Sequence, residues 1–281
     1  MTAAQPLAPY DAPGWRPKLV VLDLDGTVVP YAGFYDQPTA RVRAAVAAVL
    51  AAGVPVVVAT GRAVWGALPT VTALGLEGIE IVASNGAVVF DGTSQQVSHE
   101  VTIDPRPAAE ALHAGFAVGG FRGAAFAAER GSAGFLYTPD FARDFAGSFL
   151  SEATIAELTA SHTPRMVCRP HDCTPPQAAV VANAALGGLD YSWDIGYSSW
   201  IDVMAPGVSK ASGVALVAAD LGVSAADVLA IGDGGNDVEL FEWVGCAVAM
   251  GQAVDSVQAA ADIVTESVDD DGVAVVLERW F

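Results

Sequence analysis

Apolar residues come in short unbroken runs, and several of those runs stop at a polar cluster. Leu19–Leu22 is wholly apolar and ends at Asp23, and residues 54–59 run to Thr60. Residues 79–83 run to Ser84-Asn85-Gly86, and Val228–Ile231 runs to Gly232-Asp233. Strands that lack polar alternation are expected where helices cover both faces of a sheet. Ala- and Val-rich stretches between them read as helices. Thr39 suits the N-cap of a helix ending at Gly53, and further helices are expected after Arg62 and over about Lys210–Leu221, Asn236–Trp243 and Val254–Ala261. Ala247–Met250 is a further strand, and Val88 to Gly92 reads as a hairpin arm with an Asp-Gly turn.

The middle of the chain has another texture. Between about Val101 and Met204 aromatics and prolines are more frequent and the strands shorter: Ala124–Ala128, Gly134–Tyr137, Arg165–Cys168, Tyr191–Asp194 and Trp200–Met204. Helices are expected at Ala108–Gly115 and Pro176–Leu186. This is the pattern of an α+β insert in an α/β chain. The expected architecture is a Rossmann-like parallel sheet formed by 1–102 and 205–281, with an inserted cap over 103–204. Its ligand would lie at the carboxyl ends of the strands. The two crossings, near Val101–Asp104 and Met204–Val208, would let the insert hinge as a lid.

Charge narrows the partners. Thirteen basic residues face 32 acidic ones, a formal charge of −19, and only Lys18 and Lys210 are lysines. Such a chain lacks the cationic surface that nucleic acid requires. The same field repels a phosphorylated ligand, so any site for one must be made locally positive. Residues 44–59 form the longest apolar stretch, too short for a membrane span and broken by Gly53 and Pro55. No basic segment followed by an apolar one opens the sequence, and Cys168, Cys173 and Cys246 cannot all pair. The cytoplasm is the expected compartment; monomer and homodimer are equally compatible.

The candidate chemistry sits at the strand ends. Asp23 and Asp25, two residues apart on an extended segment, project from the same side. One can attack while the other transfers protons. Asp-x-Asp-Gly also forms turns and calcium loops, although the further acids of an EF-hand are missing. Asp233 and Asp237 bracket Gly234-Gly235-Asn236, a set suited to a hard cation such as Mg²⁺, with Asn236 a candidate phosphate or substrate contact, or to a turn in which Asn236 caps a helix. Thr60 and Gly61 can hold phosphate oxygens. Lys210 follows a Pro-Gly turn at a helix start, where a cation opposes the dipole. Arg62 reads equally as a substrate contact or a surface residue. Cys168, His171 and Cys173 lack a fourth ligand for zinc.

Taken together, Asp23-x-Asp25-Gly26-Thr27, Thr60-Gly61-Arg62, Ser84-Asn85-Gly86-Ala87, Lys210 and Gly232-Asp233-Gly234-Gly235-Asn236-Asp237 resemble the haloacid dehalogenase superfamily. The Cof-type sugar-phosphatase branch is the nearest in pattern. The resemblance covers both flanks and not the middle. It implies a Rossmann-like core with a C2-type cap inserted after the third strand. It also implies Asp23 as nucleophile, Asp25 as acid and base, and Thr60 and Lys210 on the phosphoryl group. Mg²⁺ would be held by Asp23, the Asp25 carbonyl and Asp233, with Asp237 close by. Gln252 stands where many relatives carry Asn, a mild departure.

The expected activity is hydrolysis of a small phosphorylated metabolite, such as a sugar phosphate. A phosphotransferase or mutase uses the same first step, and a catalytically idle binder keeps the same fold. A phospho-accepting receiver domain, with a similar acid, Thr and Lys set, is too small to explain the split core.

Overall fold

The computed structural model describes residues 10, 14–31, 37–143, 148–196 and 199–281. The first part of the chain is β1 (Leu19–Leu22), α1 (Ala40–Ala51), β2 (Val56–Ala59), α2 (Val64–Ala73) and β3 (Glu80–Ala83). It then doubles back through β4 (Val88–Asp91) and β5 (Gln96–Glu100). The middle contributes α3 (Arg106–Val118), β6 (Ala124–Glu129), β7 (Phe135–Tyr137), β8 (Phe149–Glu152), α4 (Ile155–Leu158), β9 (Met166–Pro170), α5 (Pro175–Leu186), β10 (Ser192–Ile195) and β11 (Ile201–Met204). The last part is α6 (Lys210–Asp220), β12 (Val228–Gly232), α7 (Val238–Trp243), β13 (Cys246–Ala249), α8 (Asp255–Gln258), β14 (Ile263–Val264) and α9 (Gly272–Leu277).

Two sheets result. The larger has the order β14-β13-β12-β1-β2-β3-β4-β5, parallel from β14 to β3 and antiparallel across β4 and β5. Its central strands are buried on both faces, as their unbroken apolar sequences require. Val20, Leu22, Val56 and Val58 pack with residues of α1, α2 and α9. Leu19, Val21, Val57 and Val228 face the other way, against residues of α6, α7 and α8. One β1 neighbour leads to the first half of the sheet and the other to the second. The carboxyl ends of β1 and β12 therefore lie side by side at a topological switch point.

The second sheet, β10-β11-β9-β6-β7-β8, is built entirely from the middle segment. Ala124, Phe126, Ala128, Met166 and Cys168 turn one face toward α3 and α5. The opposite face carries Ala125, Ala127, Phe135, Tyr137 and Val167, and Trp65 of α2 packs against it. The small sheet thus lies between its own helices and the core.

Several expectations shift. The insert follows β5, not the third strand, because the β4–β5 hairpin extends the core sheet first. Residues 92–95 form that hairpin's loop, longer than a two-residue Asp-Gly turn, with Gln95 at φ 58°. Thr39 does cap α1, accepting from the Val42 amide. Asn236 caps no helix: it lies inside a 3₁₀ turn, Gly235–Asp237, that precedes α7. The Val254–Ala261 helix shrinks to one turn.

Candidate active site

The acidic clusters that close β1 and β12 meet. The Asp23 amide donates to the Ile231 carbonyl at 3.0 Å, continuing the β1–β12 ladder to the last residue before the loop. Gly26 then turns the chain away at φ 74°. A Cβ there would lie 2.2 Å from an Asp233 oxygen, so only glycine lets the two loops approach so closely. Carboxylate oxygens of Asp23, Asp233 and Asp237 lie within 4.8 Å of one another, and all three residues are buried. Three hard oxygen donors in so small a space fit a hard divalent cation and suit softer metals poorly.

Lys210 is the cluster's counter-charge. Ser209 caps α6 by accepting from the Ser212 amide, which fixes Lys210 as the first helical residue. Its Nζ, wholly buried, sits 2.9 Å from Asp23 Oδ1 and 2.7 Å from Asp237 Oδ1. The other Asp237 oxygen accepts from the Asp233 and Gly234 amides at 3.1 and 3.0 Å, so Asp237 is fully engaged within the loop. Asp233 accepts from Thr27 Oγ1 at 3.2 Å and from Gln252 Nε2 at 3.4 Å.

Charge bookkeeping leaves the site short of cations. Burial pushes the Asp23 carboxyl well above the usual carboxylate range, against the pull of Lys210 and with the help of the other aspartates. Asp233 rises to about 6, through burial and then Asp237. Burial alone would lower the Lys210 ammonium, yet Asp23 and Asp237 raise it above its ordinary value. Buried, crowded carboxylates of this kind favour the approach of further positive charge.

The other residues singled out by sequence converge on the same edge. Thr60, fully buried, accepts the Arg62 amide on its hydroxyl at 3.1 Å, and its hydroxyl donates to nothing among the described residues. Arg62 is turned onto Asp25 in a bidentate pair at 2.8 and 2.5 Å, and also donates to the Gly66 carbonyl and Thr70. It orients Asp25 and does not stand open to a substrate. Asn236 Nδ2 donates to Asn85 Oδ1 at 2.9 Å.

Sequence reading missed the roof. Arg165, just before β9, pairs with Glu129 (3.3 Å) and Asp202 (3.2 Å) and donates to the Gly61 carbonyl of the core. Ser84 donates to both Glu129 oxygens at 2.9 and 2.8 Å, and Asn85 to Asp202 at 2.9 Å. Ser84 and Asn85 do so from left-handed conformations, φ 51° and 55°, which non-glycine residues adopt rarely. Burial raises the Glu129 carboxyl despite Arg165. Asp194, across the ladder from Asp202 and above the Gly235 turn, is pushed up to about 6 by burial and by Asp202. A single charge interrupting a short apolar run was the available signal: Glu129 ends Ala124–Ala128, and Asp202 splits Ile201 from Val203.

Residues 20–163 and 179–277 match the family model of the haloacid dehalogenase-like hydrolases. YxeH of Bacillus subtilis (strain 168), provisionally named a phosphatase, is 27% identical over 274 residues, covering 92% of this chain and 96% of the relative. YitU of the same organism, a 5-amino-6-(5-phospho-D-ribitylamino)uracil phosphatase, is 37% identical over 81 residues, 29% of this chain and 30% of that protein. In fold, the chain is similar to the subclass IIB sugar phosphatase BT4131, with TM-score 0.78, 22% identity, and coverage of 93% and 98%. A haloacid dehalogenase-like hydrolase from B. subtilis gives TM-score 0.79 at 21% identity, covering 94% and 100%.

Proposed function

The chain belongs to the haloacid dehalogenase-like hydrolases as a Cof-type phosphatase, and on that premise we propose Mg²⁺-dependent hydrolysis of a small phosphate monoester through an aspartyl-phosphate. The observation that carries this reading is Asp23 held at a strand end against Lys210, beside two further buried aspartates. A sugar or polyol phosphate is the favoured substrate, a reading supported by the fold likeness to a sugar phosphatase. The catalytic core would be 1–102 and 205–281, with 103–204 as the cap that closes over it.

Asp23 attacks phosphorus in line as the bond to the ester oxygen breaks, and Asp25 gives the leaving oxygen its proton. A water then attacks the same phosphorus, Asp25 takes the water's proton, and phosphate leaves with Asp23 restored. Lys210 holds the Asp23 carboxylate in place and faces the charge of the phosphoryl oxygens. The Thr60 hydroxyl and the Gly61 segment bind those oxygens. Arg62 keeps Asp25 aimed. Asp23, Asp233 and the Asp25 main-chain carbonyl would hold Mg²⁺, with Asp237 bracing Lys210 and the loop. When bound, the ion supplies positive charge for the phosphoryl oxygens. The cap excludes bulk water from the first step.

The test is release of p-nitrophenol from its phosphate ester. Mg²⁺-dependent turnover that EDTA abolishes is expected; turnover indifferent to EDTA contradicts the metal, and no turnover contradicts the phosphatase reading.

A further inference from the structure

Two aspartates stand opposite each other on the cap face that roofs the site, and they are not equivalent. Asp202 of β11 is saturated: it accepts from Trp200 Nε1 at 2.8 Å on one oxygen, and from Asn85 Nδ2 and Arg165 Nη1 on the other. Asp194 of β10, its partner in the ladder register, accepts from no side chain among the described residues, and only the adjacent Ile195 amide leans on it. An ionised carboxylate offers about four acceptor positions. Most of those on Asp194 are met by nothing among the described residues.

Its position gives the vacancy a direction. A Cβ built on Gly235 would lie 3.9 Å from Asp194 Oδ1, so the carboxylate overlies the turn that carries Asp233 and Asp237. It is close enough to Lys210 and Asp237 to be influenced by both. A second unmet group borders the same seam between cap and core. Trp65 Nε1 is buried without a hydrogen-bond partner among the described residues, its ring edge-on to Phe135 at 5.3 Å, and Phe135 lies beneath the Arg165 guanidinium. A buried polar atom left unpaired carries a desolvation penalty, and a ligand that pairs with it recovers that penalty.

Hydroxyl groups both donate and accept, and so complement an empty acceptor together with an empty donor. Arg165, which pairs with Asp202 opposite Asp194, is spent on Glu129, Asp202 and Gly61, which leaves little for a second anionic group on the ligand. We propose that Asp194 determines specificity by accepting hydrogen bonds from hydroxyls on a neutral polyol body, while the phosphoryl group of that monoester sits at Asp23. This rests on the phosphatase reading above.

The test compares wild type with Asp194→Ala and Asp194→Asn on hexose and hexitol monophosphates, their deoxy analogues, and p-nitrophenyl phosphate. Asp194→Ala is expected to lower kcat/KM on the best polyol ester about 10- to 100-fold, to leave p-nitrophenyl phosphate within about threefold, and to erase the preference for hydroxylated over deoxy esters. Asp194→Asn, which keeps one acceptor oxygen, is expected to fall between. Equal losses on all esters would make Asp194 structural and overturn the proposal, as would a wild type that turns over p-nitrophenyl phosphate yet gains nothing from hydroxyls. A wild type inert toward every ester sinks the phosphatase reading, and this inference with it.

Discussion

The core and the cap each contain a buried ionic cluster, and the two are balanced differently. In the core, Asp23 and Asp237 share the ammonium of Lys210, and Asp233 stands beside them. In the cap, Glu129 and Asp202 share Arg165, and Ser84, Asn85 and Trp200 supply further donors. The cap cluster is closed, with both carboxylates met by donors. The core cluster is open, and burial, then the acids' own crowding, raises the carboxyls of Asp23 and Asp233. A saturated cluster joins two layers; an unsaturated one waits for a cation and a reactant. Buried charge by itself therefore does not mark a catalytic centre, whereas buried acids short of donors point to one.

Removing the nucleophile should break the comparison most completely. Asp23→Asn is expected to cut steady-state turnover by about 10⁴-fold or more while thermal unfolding still shows one cooperative transition. Lys210→Ala should cut kcat by about 10²- to 10³-fold and also lower stability by about 3 kcal/mol, read by urea titration, because buried Asp23 and Asp237 lose their shared partner. Arg165→Met should separate the clusters. A stability loss of about 3 kcal/mol is expected there too, but turnover of p-nitrophenyl phosphate should change less than about tenfold.

The smallest effect concerns pH. The folded-state pKa of Asp233 is raised from 3.8 to about 6, and that of Asp23 is raised as well, so the folded chain binds these protons more tightly than the unfolded one. Their stabilising contribution is present below the unfolded value and is lost as pH rises through the folded one. Lys210, whose folded pKa is raised as well, adds stability in the same sense and loses it only at alkaline pH, above its unfolded value. Calorimetry without metal should show a higher Tm near about pH 5 than near about pH 7, with Mg²⁺ narrowing the gap and Asp233→Asn shrinking it.

Sequence revealed the open cluster far better than the closed one. Phosphoryl chemistry demands particular residues at strand ends, so Asp23, Asp25, Thr60 and Asp233 stand beside apolar runs that advertise themselves, and Lys210 stands out as one of two lysines, at a helix start. The core strands followed for the same reason, since only a doubly covered sheet tolerates four apolar residues in a row. The closed cluster depends on pairings among β6, β9 and β11, strands far apart in sequence, and on the rare backbone of Ser84 and Asn85. No local pattern encodes those contacts. Arg62 was ambiguous because its partner, Asp25, lies on another strand end. The β8 strand and the short α4 helix escaped notice because half-exposed, four-residue elements carry little periodicity.

The central claim is that Asp23 carries the phosphoryl group. Acid quenching during turnover, followed by peptide mass spectrometry, tests it directly. The account predicts one added phosphoryl group on the peptide containing Asp23, absent from Asp23→Asn and from samples without Mg²⁺. A phosphoryl group on any other residue, or full turnover with none on Asp23, would contradict it.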